Sequence, residues 1–141
     1  MPKRFFLAGI IQGSQRGREL YPQDYRERIK RALKGRFPQA EVFCPYELHP
    51  NSIDYDAQRG KETFLKMIEE ARRSDCLVAY LPEASLGTAI EIWESHKSGV
   101  PIWTISPMRE NWVVKFLSTK VFSSLGDFEA YLQEREGVRD Q

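Results

Sequence analysis

CLVAYLP (residues 76–82), followed by EASLGTAIEIW (residues 83–93), is the stretch of sequence that decides the fold class. The first part is a continuous apolar run of strand length, and a proline ends it. The second part carries apolar side chains at helical spacing, which predicts a helix over residues 87–98. Because a strand that is apolar throughout is typical of a parallel sheet covered on both faces, the stretch predicts one strand–loop–helix unit of an α/β domain.

The rest of the chain repeats this alternation of strand and helix. Further strands are predicted from apolar runs at residues 5–11, 42–44, 100–105 and 121–122. Further helices are predicted from helical spacing at residues 24–35, 64–71 and 112–117 and after Ser124. Right-handed crossovers make such a chain a doubly wound sandwich around a mostly parallel five-stranded sheet. No repeat interrupts the pattern, so residues 1–141 are predicted to form a single domain.

Residues 46–58 are an exception to this alternation. They are polar and show no periodicity of either kind. A connection of this length is unusual within a compact domain, so the segment predicts a functional loop.

The composition is that of an ordinary globular domain. Of the 141 residues, 41% are hydrophobic and 29% are charged, and the formal net charge is +1. This balance predicts no general attraction to nucleic acid or to a membrane surface. Basic residues do concentrate over residues 16–36, but acids are interleaved with them, which favours a solvated helix face over a DNA-binding patch. Because no stretch of about 20 apolar residues occurs and the N-terminus is only weakly apolar, we expect a cytoplasmic protein.

Cysteine and histidine are too few and too scattered to indicate a metal centre. Cys44 and Cys76 each fall in a strand-like apolar stretch, so two buried free thiols are expected. The two histidines, His49 and His96, have no partner at a ligand spacing. The sequence therefore predicts no metal ion.

Ligands of a doubly wound domain bind at the carboxyl ends of the strands, which directs attention to three loops. These loops are residues 9–14, 82–88 and 106–111. The first has glycines four residues apart and no Lys-Ser or Lys-Thr pair, so it matches neither the dinucleotide-binding pattern nor the P-loop. Its small residues either let backbone amides approach a sugar or phosphate or simply form a turn.

The second loop carries the strongest chemical signal. Gly87 and Thr88 are predicted to open a helix, whose free N–H groups and positive dipole end face the loop. Ser85 fits either of two roles, a donor to a bound anion or a helix cap. Glu91 follows one turn later among apolar neighbours. An acid near a helix start is common, but in apolar surroundings the dipole holds it ionised while burial raises its pKa, which suits a nucleophile.

Three segments in order resemble one known family. They are FFLAGII (residues 5–11), DCLVAYL (residues 75–81) and SLGTAIE (residues 85–91). Together they resemble the nucleoside 2-deoxyribosyltransferase family, including its branch of 2'-deoxynucleoside 5'-monophosphate N-hydrolases. The resemblance extends from residue 5 to about residue 105, and the segment ending in Glu91 is its most specific part.

The resemblance implies a flavodoxin-like sandwich that acts on an N-glycosidic bond. Glu91 falls where the family places its nucleophile, which attacks the anomeric carbon, displaces the base and forms a glycosyl-enzyme ester. Another base or a water then takes the sugar, as in retaining glycoside hydrolysis. The resemblance also implies no metal or organic cofactor, a small nucleoside or nucleotide as partner, and a homodimer or larger homo-oligomer with active sites near subunit contacts.

Ser85 separates the branches of this family. Transferases that act on free nucleosides carry an acid in this column, six residues before the nucleophile, whereas the monophosphate hydrolases resemble this chain in having serine. An acid within about 4 Å of a phosphate would cost on the order of several kcal/mol in a poorly solvated site. The serine therefore favours a 5'-monophosphate substrate, although Glu83 is only two residues away.

Six residues are assigned to substrate binding on these grounds: Gly9, Gln12, Ser85, Gly87, Thr88 and Asn111. Asn111 ends the third loop and is expected to shape the pocket. Trp112, beside it, is assigned to the core.

Two positions depart from the family pattern. Met67 occupies the column, eight residues before Asp75, in which the family has an aspartate that orients or protonates the departing base. Four acids are near enough in sequence to replace that aspartate: Glu62, Glu70, Asp54 and Asp56. The second departure is Gln12, where the monophosphate hydrolases carry an arginine. Arg16 and Arg18 either compensate for it or remain solvated loop charges.

The departure at Met67 makes a second function possible. Losing a general acid commonly lowers a rate by about 10²–10⁴-fold, so the alternative is a weak or inactive nucleotide-binding module that kept the pocket. The intact segment from Ser85 to Glu91 disfavours this alternative. A phosphorelay receiver has the same sheet order but needs paired acids after the first strand, and residues 9–14 contain none.

Overall fold

The computed structural model describes residues 2–11 and 22–134 of the chain. Five strands alternate with six helices in these ranges. The strands are β1 Arg4–Gly9, β2 Glu41–Phe43, β3 Cys76–Tyr80, β4 Ile102–Ile105 and β5 Lys120–Phe122. The helices are α1 Tyr25–Arg36, α2 Pro45–Leu48, α3 Ala57–Arg72, α4 Leu86–Lys97, α5 Trp112–Leu117 and α6 Leu125–Glu134, with a 3₁₀ turn at Ser52–Asp54. None of these helices is long and apolar enough to cross a membrane.

All five strands run parallel, in the order β2-β1-β3-β4-β5. The central pair, β1 and β3, is aligned with Leu7 beside Val78, whereas the edge strand β2 pairs only with β1. The predicted α/β class, with a five-stranded parallel sheet of flavodoxin-like order, is confirmed. Because the chain moves from β1 outward to β2 and then returns past β1 to β3, the direction of winding reverses between β1 and β3. Folds of this order bind their ligands at that point.

Helices cover both faces of the sheet. On one face α1 and α6 pack against strand side chains such as Leu7 and Val78. On the other face α3, α4 and α5 pack against their neighbours Phe6 and Leu77. Successive side chains of a strand point to opposite faces, so those of the central strands β1, β3 and β4 are covered by one helical layer or the other, whereas Glu41 of β2 and Lys120 of β5 are exposed. This explains why the central strands are largely apolar.

The two cysteines are buried free thiols, as the sequence predicts. Cys44 follows the edge strand β2, and Cys76 opens β3. Burial raises the pKa of the Cys76 thiol. Both side chains are buried, whereas a reactive cysteine is exposed.

The prediction of an irregular loop over residues 46–58 is wrong. Pro45 begins α2, where its missing N–H needs no partner and its fixed φ suits a first helical turn. A 3₁₀ turn follows, and α3 begins seven residues before the start predicted from its apolar side chains. Asp56 caps α3 by accepting the N–H of Arg59 at 2.8 Å. The polar composition reflects short, exposed helical turns.

Two further details differ from the sequence prediction. Helix α1 continues through Gly35 and ends one residue later. Trp112 is not a core residue, because it stands at the first position of α5 with 77% of its surface exposed, and Val114 is the buried residue of that helix.

Candidate active site

A cavity of about 470 Å³ opens between the carboxyl ends of β1 and β3. Its walls come from the end of β1, the start of α4 and the segment that leads from β2 into α3. Five residues assigned from the sequence line it together: Gly9, Ser85, Gly87, Thr88 and Glu91. The fold thus gathers the proposed nucleophile and most of the proposed substrate contacts, whose roles remain predictions.

The two other assigned residues stand apart from this group. Gln12 lies outside the described residues, so its assignment stays a prediction. Asn111 is exposed and caps α5, where its side chain accepts the N–H of Val113 at 3.0 Å. Asparagine is a favoured residue before a helix because it satisfies an otherwise unpaired N–H. Helix capping therefore accounts for Asn111 without a ligand.

Ser85 caps α4, one of the two roles that the sequence left open. Its Oγ accepts the N–H of Thr88 at 3.3 Å and donates to Thr88 Oγ1 at 3.0 Å. The N–H groups of Leu86 and Gly87, in the first turn, have no intrahelical acceptor. The positive end of the helix dipole adds to their partial charge. This end of α4 is therefore suited to an anion as well.

Glu91 lies one turn into α4 and is partly buried in the wall of the cavity. Burial raises the pKa of its carboxyl to about 8, and the Arg26 guanidinium opposes this rise. Desolvation thus outweighs the attraction of Arg26, and the carboxyl holds its proton at higher pH than an exposed glutamate does. A carboxyl with a pKa near neutral serves as an acid or, once ionised, as a nucleophile.

Arg26 belongs to this site although its charge run predicts a solvated side chain. It is only 4% exposed and lines the cavity. Its Nε donates to Gln23 Oε1 at 2.6 Å, and the guanidinium lies 5.0 Å and 5.4 Å from the ring centres of Tyr25 and Tyr46. Aromatic faces stabilise a cation that has left water. Arg26 is therefore a fixed positive charge close to Glu91.

The helical spacing of the apolar residues in α1 indicates that Arg26 is buried. Tyr25, Ile29 and Leu33 form the buried face of α1. Arg26 precedes Ile29 by three residues and Leu33 by seven, which places it on the same face. A cation on the apolar face of a helix needs a specific partner, so its position was informative.

Gly9 leaves room for Tyr25 as well as lining the cavity. A Cβ atom at Gly9 would lie 2.1 Å from the Tyr25 hydroxyl. That hydroxyl donates to the carbonyl of Ile10 at 3.0 Å, and the ring stacks on Tyr80 with 4.3 Å between centroids. Burial raises the pKa of the Tyr25 hydroxyl. Close approach of α1 to the end of β1 therefore requires glycine here.

Met67 lines the cavity from α3, so the position at which the family resemblance leads us to expect an acid does face the site. None of the four acids considered as replacements lines the cavity: Glu62, Glu70, Asp54 and Asp56. Glu70, for example, pairs with Arg4 at the start of β1. Among the described residues, Glu91 is the one carboxylic acid of the cavity wall. Nor do three or more His, Cys, Asp or Glu side chains gather in residues 2–11 and 22–134 as a metal site requires.

A hydrogen-bonded pair, His49 and Tyr55, belongs to the wall between β2 and α3. His49 Nδ1 lies 2.8 Å from the Tyr55 hydroxyl, and the two rings meet edge to face with 5.8 Å between centroids. The Arg59 guanidinium lies 3.8 Å from the centre of the Tyr55 ring. Local sequence gave no sign of this pair beyond its place in the segment predicted to be functional. The tertiary fold brings it to the cavity.

Solved structures share the fold of this chain, although no protein-family model and no curated protein matches its sequence. The chain is similar to a 2-deoxyribosyltransferase from the psychrotolerant bacterium Bacillus psychrosaccharolyticus, with a TM-score of 0.66, 18% identity and coverage of 92% of this chain and 95% of that one. A conserved protein from Enterococcus faecalis V583 has a TM-score of 0.66 at 19% identity, over 96% and 99% of the two chains. A CMP N-glycosidase from Clostridium botulinum has a TM-score of 0.56 at 17% identity, over 94% and 98%.

Similarity at these identities establishes the fold. This chain has the same α/β fold as a deoxyribosyltransferase and an N-glycosidase, which agrees with the family that its sequence resembles. One fold hosts many activities, so the function has to be argued from the side chains of the cavity.

Proposed function

We propose that this chain is an enzyme that cleaves or transfers the N-glycosidic bond of a nucleoside or a nucleoside 5'-monophosphate, with Glu91 as its nucleophile. One observation carries the proposal: Glu91 is the one carboxylic acid among the described residues of a cavity at the switch point of the sheet. Two proteins of the same fold, a 2-deoxyribosyltransferase and a CMP N-glycosidase, favour the same class of bond.

The reaction has two halves. An ionised oxygen of Glu91 attacks the anomeric carbon, the electron pair of the carbon–nitrogen bond leaves with the base, and the base takes up a proton. The sugar is then esterified to Glu91, and a water or a second base attacks the same carbon to release the carboxylate. Arg26 supports this chemistry because its positive charge favours the ionised form of Glu91.

The start of α4 favours a substrate with a 5'-phosphate. Ser85 is neutral, and the N–H groups of Leu86 and Gly87 stand at the positive end of the helix. Arg26 adds a buried positive charge to the same cavity. These groups attract a phosphate without an opposing carboxylate at position 85, where a nucleoside transferase would carry one.

An apolar surface beside the cavity favours assembly with further copies of the chain. Exposed large side chains of α3, α4 and α5 make up this surface: Phe64, Leu65, Leu86, Ile90, Trp93, Trp112 and Phe116. Leu86 is 85% exposed and lines the cavity, as does Phe64. Apolar patches of this kind mark interfaces. We therefore place a homodimer or larger homo-oligomer at this surface, with the cavity near the contact.

Release of free base tests the proposed reaction. The protein is incubated with a panel of nucleosides and 5'-monophosphates, with and without an acceptor base. We expect release from at least one deoxynucleotide, and none from Glu91→Gln. Glu94→Gln is the matched control, because Glu94 lies on the same helix and pairs with Lys97. No release from any substrate, or equal release by Glu91→Gln, contradicts the proposal.

A nucleotide-binding module without turnover is the second candidate, and Met67 is the observation that favours it. Its thioether faces the cavity where the resemblance leads us to expect an acid, and it has no proton to give. The same panel separates the two candidates. A nucleotide that raises the melting temperature but yields no base after prolonged incubation supports the module.

A further inference from the structure

The departing base needs a proton, and the described part of the cavity wall has no carboxylic acid besides Glu91 to supply it. Met67 holds the expected position, and Glu91 is used as the nucleophile. An arginine such as Arg26 does not release a proton in proteins, and hydroxyl groups are weak acids. Among the described residues of the cavity wall, His49 is the one imidazole. Imidazole is the side chain that ordinarily gains and loses a proton near neutral pH.

We propose that His49 is the general acid that protonates the leaving base, and that Tyr55 is the residue that positions it. The proposal rests on the proposed function, since an acid is required only if a glycosidic bond breaks. His49 and Met67 both line the cavity, and both come from the part of the chain between β2 and β3. An acid there can serve the same base that an aspartate at position 67 would serve.

Contacts of the ring with Tyr55 and of the backbone with Pro45 hold the imidazole in one orientation. Its Nδ1 lies 2.8 Å from the Tyr55 hydroxyl, and the Tyr55 ring meets it edge-on at 88°. The Arg59 guanidinium, 3.8 Å from the centre of the Tyr55 ring, fixes the tyrosine in turn. The backbone is tied as well, because the N–H of His49 donates to the carbonyl of Pro45 at 2.9 Å. With Nδ1 occupied, Nε2 is the ring nitrogen left to the substrate.

His49 gives up one proton in the first half of the reaction and regains one in the second half. In the first half, imidazolium Nε2–H gives its proton to a nitrogen or oxygen of the base, which takes the electron pair of the broken bond. An oxygen of Glu91 bonds to the anomeric carbon at the same time. In the second half, neutral His49 accepts a proton from the attacking water. Both His49 and Glu91 then return to their starting states.

Leaving-group dependence tests the proposal. The substrates are a nucleotide that the wild-type protein cleaves and the 4-nitrophenyl glycoside of the same sugar, whose leaving group departs without protonation. We expect His49→Gln to lower kcat/KM for the nucleotide by about 10²–10⁴-fold and to leave the nitrophenyl substrate nearly unchanged. Tyr55→Phe, which keeps the ring and removes the hydroxyl, should lower only the nucleotide rate, by about fivefold. His96→Gln, an exposed histidine at the far end of α4, is the matched control.

The outcomes separate this proposal from the function on which it rests. Equal losses on both substrates in His49→Gln, or no loss on either, overturn the role of His49 while the activity and its dependence on Glu91 stand. Melting temperatures of the variants identify a loss caused by misfolding, and His49→Asn then repeats the comparison with a smaller side chain. If the wild-type protein releases neither base nor nitrophenol, the proposed function and the role of His49 fail together.

Discussion

The guanidinium of Arg26 and the carboxyl of Glu91 line one cavity although α1 and α4 lie on opposite faces of the sheet. Burial raises the pKa of Glu91 and Arg26 holds it down, so two opposing influences meet at the proposed nucleophile. The protonation of Glu91 therefore depends on an electrostatic interaction between two helices that lie on opposite faces of the sheet. Changes of pH and of Arg26 test this relationship separately.

The pH dependence of the reaction should follow the ionisation of Glu91. With the 4-nitrophenyl glycoside, which needs no acid, kcat/KM is expected to rise with pH and to level off above about 8, because only the ionised carboxyl attacks. Below the pKa, the ionised fraction falls about tenfold for each pH unit. Initial rates between pH 5.5 and 9.5, in steps of about half a unit, locate the rise. A flat profile would show that Glu91 is not the nucleophile.

Replacing Arg26 should shift the pH at which kcat/KM rises. Arg26→Gln removes the positive charge that lowers the pKa of Glu91, so the rise is expected at higher pH. Arg31→Gln, on the exposed side of the same helix, should leave it in place. The same initial-rate series gives both answers. An unchanged midpoint in a folded Arg26→Gln protein would mean that Arg26 does not act on Glu91.

Stability should depend on pH through Glu91 as well. Its pKa is about 8 in the folded protein and near the ordinary 4.5 when unfolded, so between these values the folded state holds a proton that the unfolded chain has lost. Stability of the wild-type protein therefore falls as pH rises from about 5 to about 8, by on the order of a few kcal/mol. Glutamine resembles the protonated carboxyl and does not titrate.

Calorimetry of Glu91→Gln measures this effect. The variant and the wild-type protein should melt at similar temperatures near pH 5, and the variant should melt higher at pH 8.5. A difference in melting temperature that is the same at both pH values would exclude titration of Glu91 as its cause.

Gly9→Ala should destabilise the protein. The added Cβ would overlap the Tyr25 hydroxyl, which is hydrogen-bonded and stacked on Tyr80, so ring or strand has to shift. The expected cost is about 1–3 kcal/mol in the free energy of unfolding. Gly35→Ala is the control, since nothing lies within 4 Å of its Cβ and alanine favours a helix by about 0.5–1 kcal/mol. Urea unfolding of both variants should give changes of opposite sign.

Ser85→Asp should discriminate between nucleotides and nucleosides. Aspartate caps a helix as well as serine does, so α4 keeps its stability. Its negative charge repels a phosphate at the start of the helix, and we expect KM for the 5'-monophosphate to rise at least about tenfold with little change for the nucleoside. Ser85→Ala should instead cost about 1 kcal/mol of stability through the lost cap. If Ser85→Asp leaves both substrates unaffected, the phosphate does not bind there.

The fold was predictable because most of its strands and helices are indicated by residues within their own segments of the sequence. The central strands of the parallel sheet are buried on both faces, so an apolar run such as residues 76–80 identifies a strand without knowledge of its neighbours. The segment from Ser85 to Glu91 was predictable for the same reason, since two turns of one helix hold the cap, the free N–H groups and the carboxyl.

The rest of the site depends on contacts between distant segments. His49 and Tyr55 reach the cavity only because α3 packs beside α4, and nothing in residues 45–58 specifies that neighbour. Trp112 shows the opposite error. Its aromatic side chain at helical spacing predicts a core residue, but it is the first residue of a short helix and is exposed. Burial of such residues is decided by tertiary packing.

The residues that line the cavity follow two kinds of strand, a central one and an edge one. Glu91 follows β3, a central strand held by a neighbour on each side, whereas His49, Tyr55 and Met67 follow β2, an edge strand paired over three residues. Strand β3 pairs with β1 and β4 and not with β2, so changes beside β2 do not touch the pairing of the strand that precedes Glu91. In an enzyme of the proposed kind, the side chains that follow β2 can change to suit another leaving group while the proposed nucleophile stays in place, so selectivity and reactivity can evolve separately.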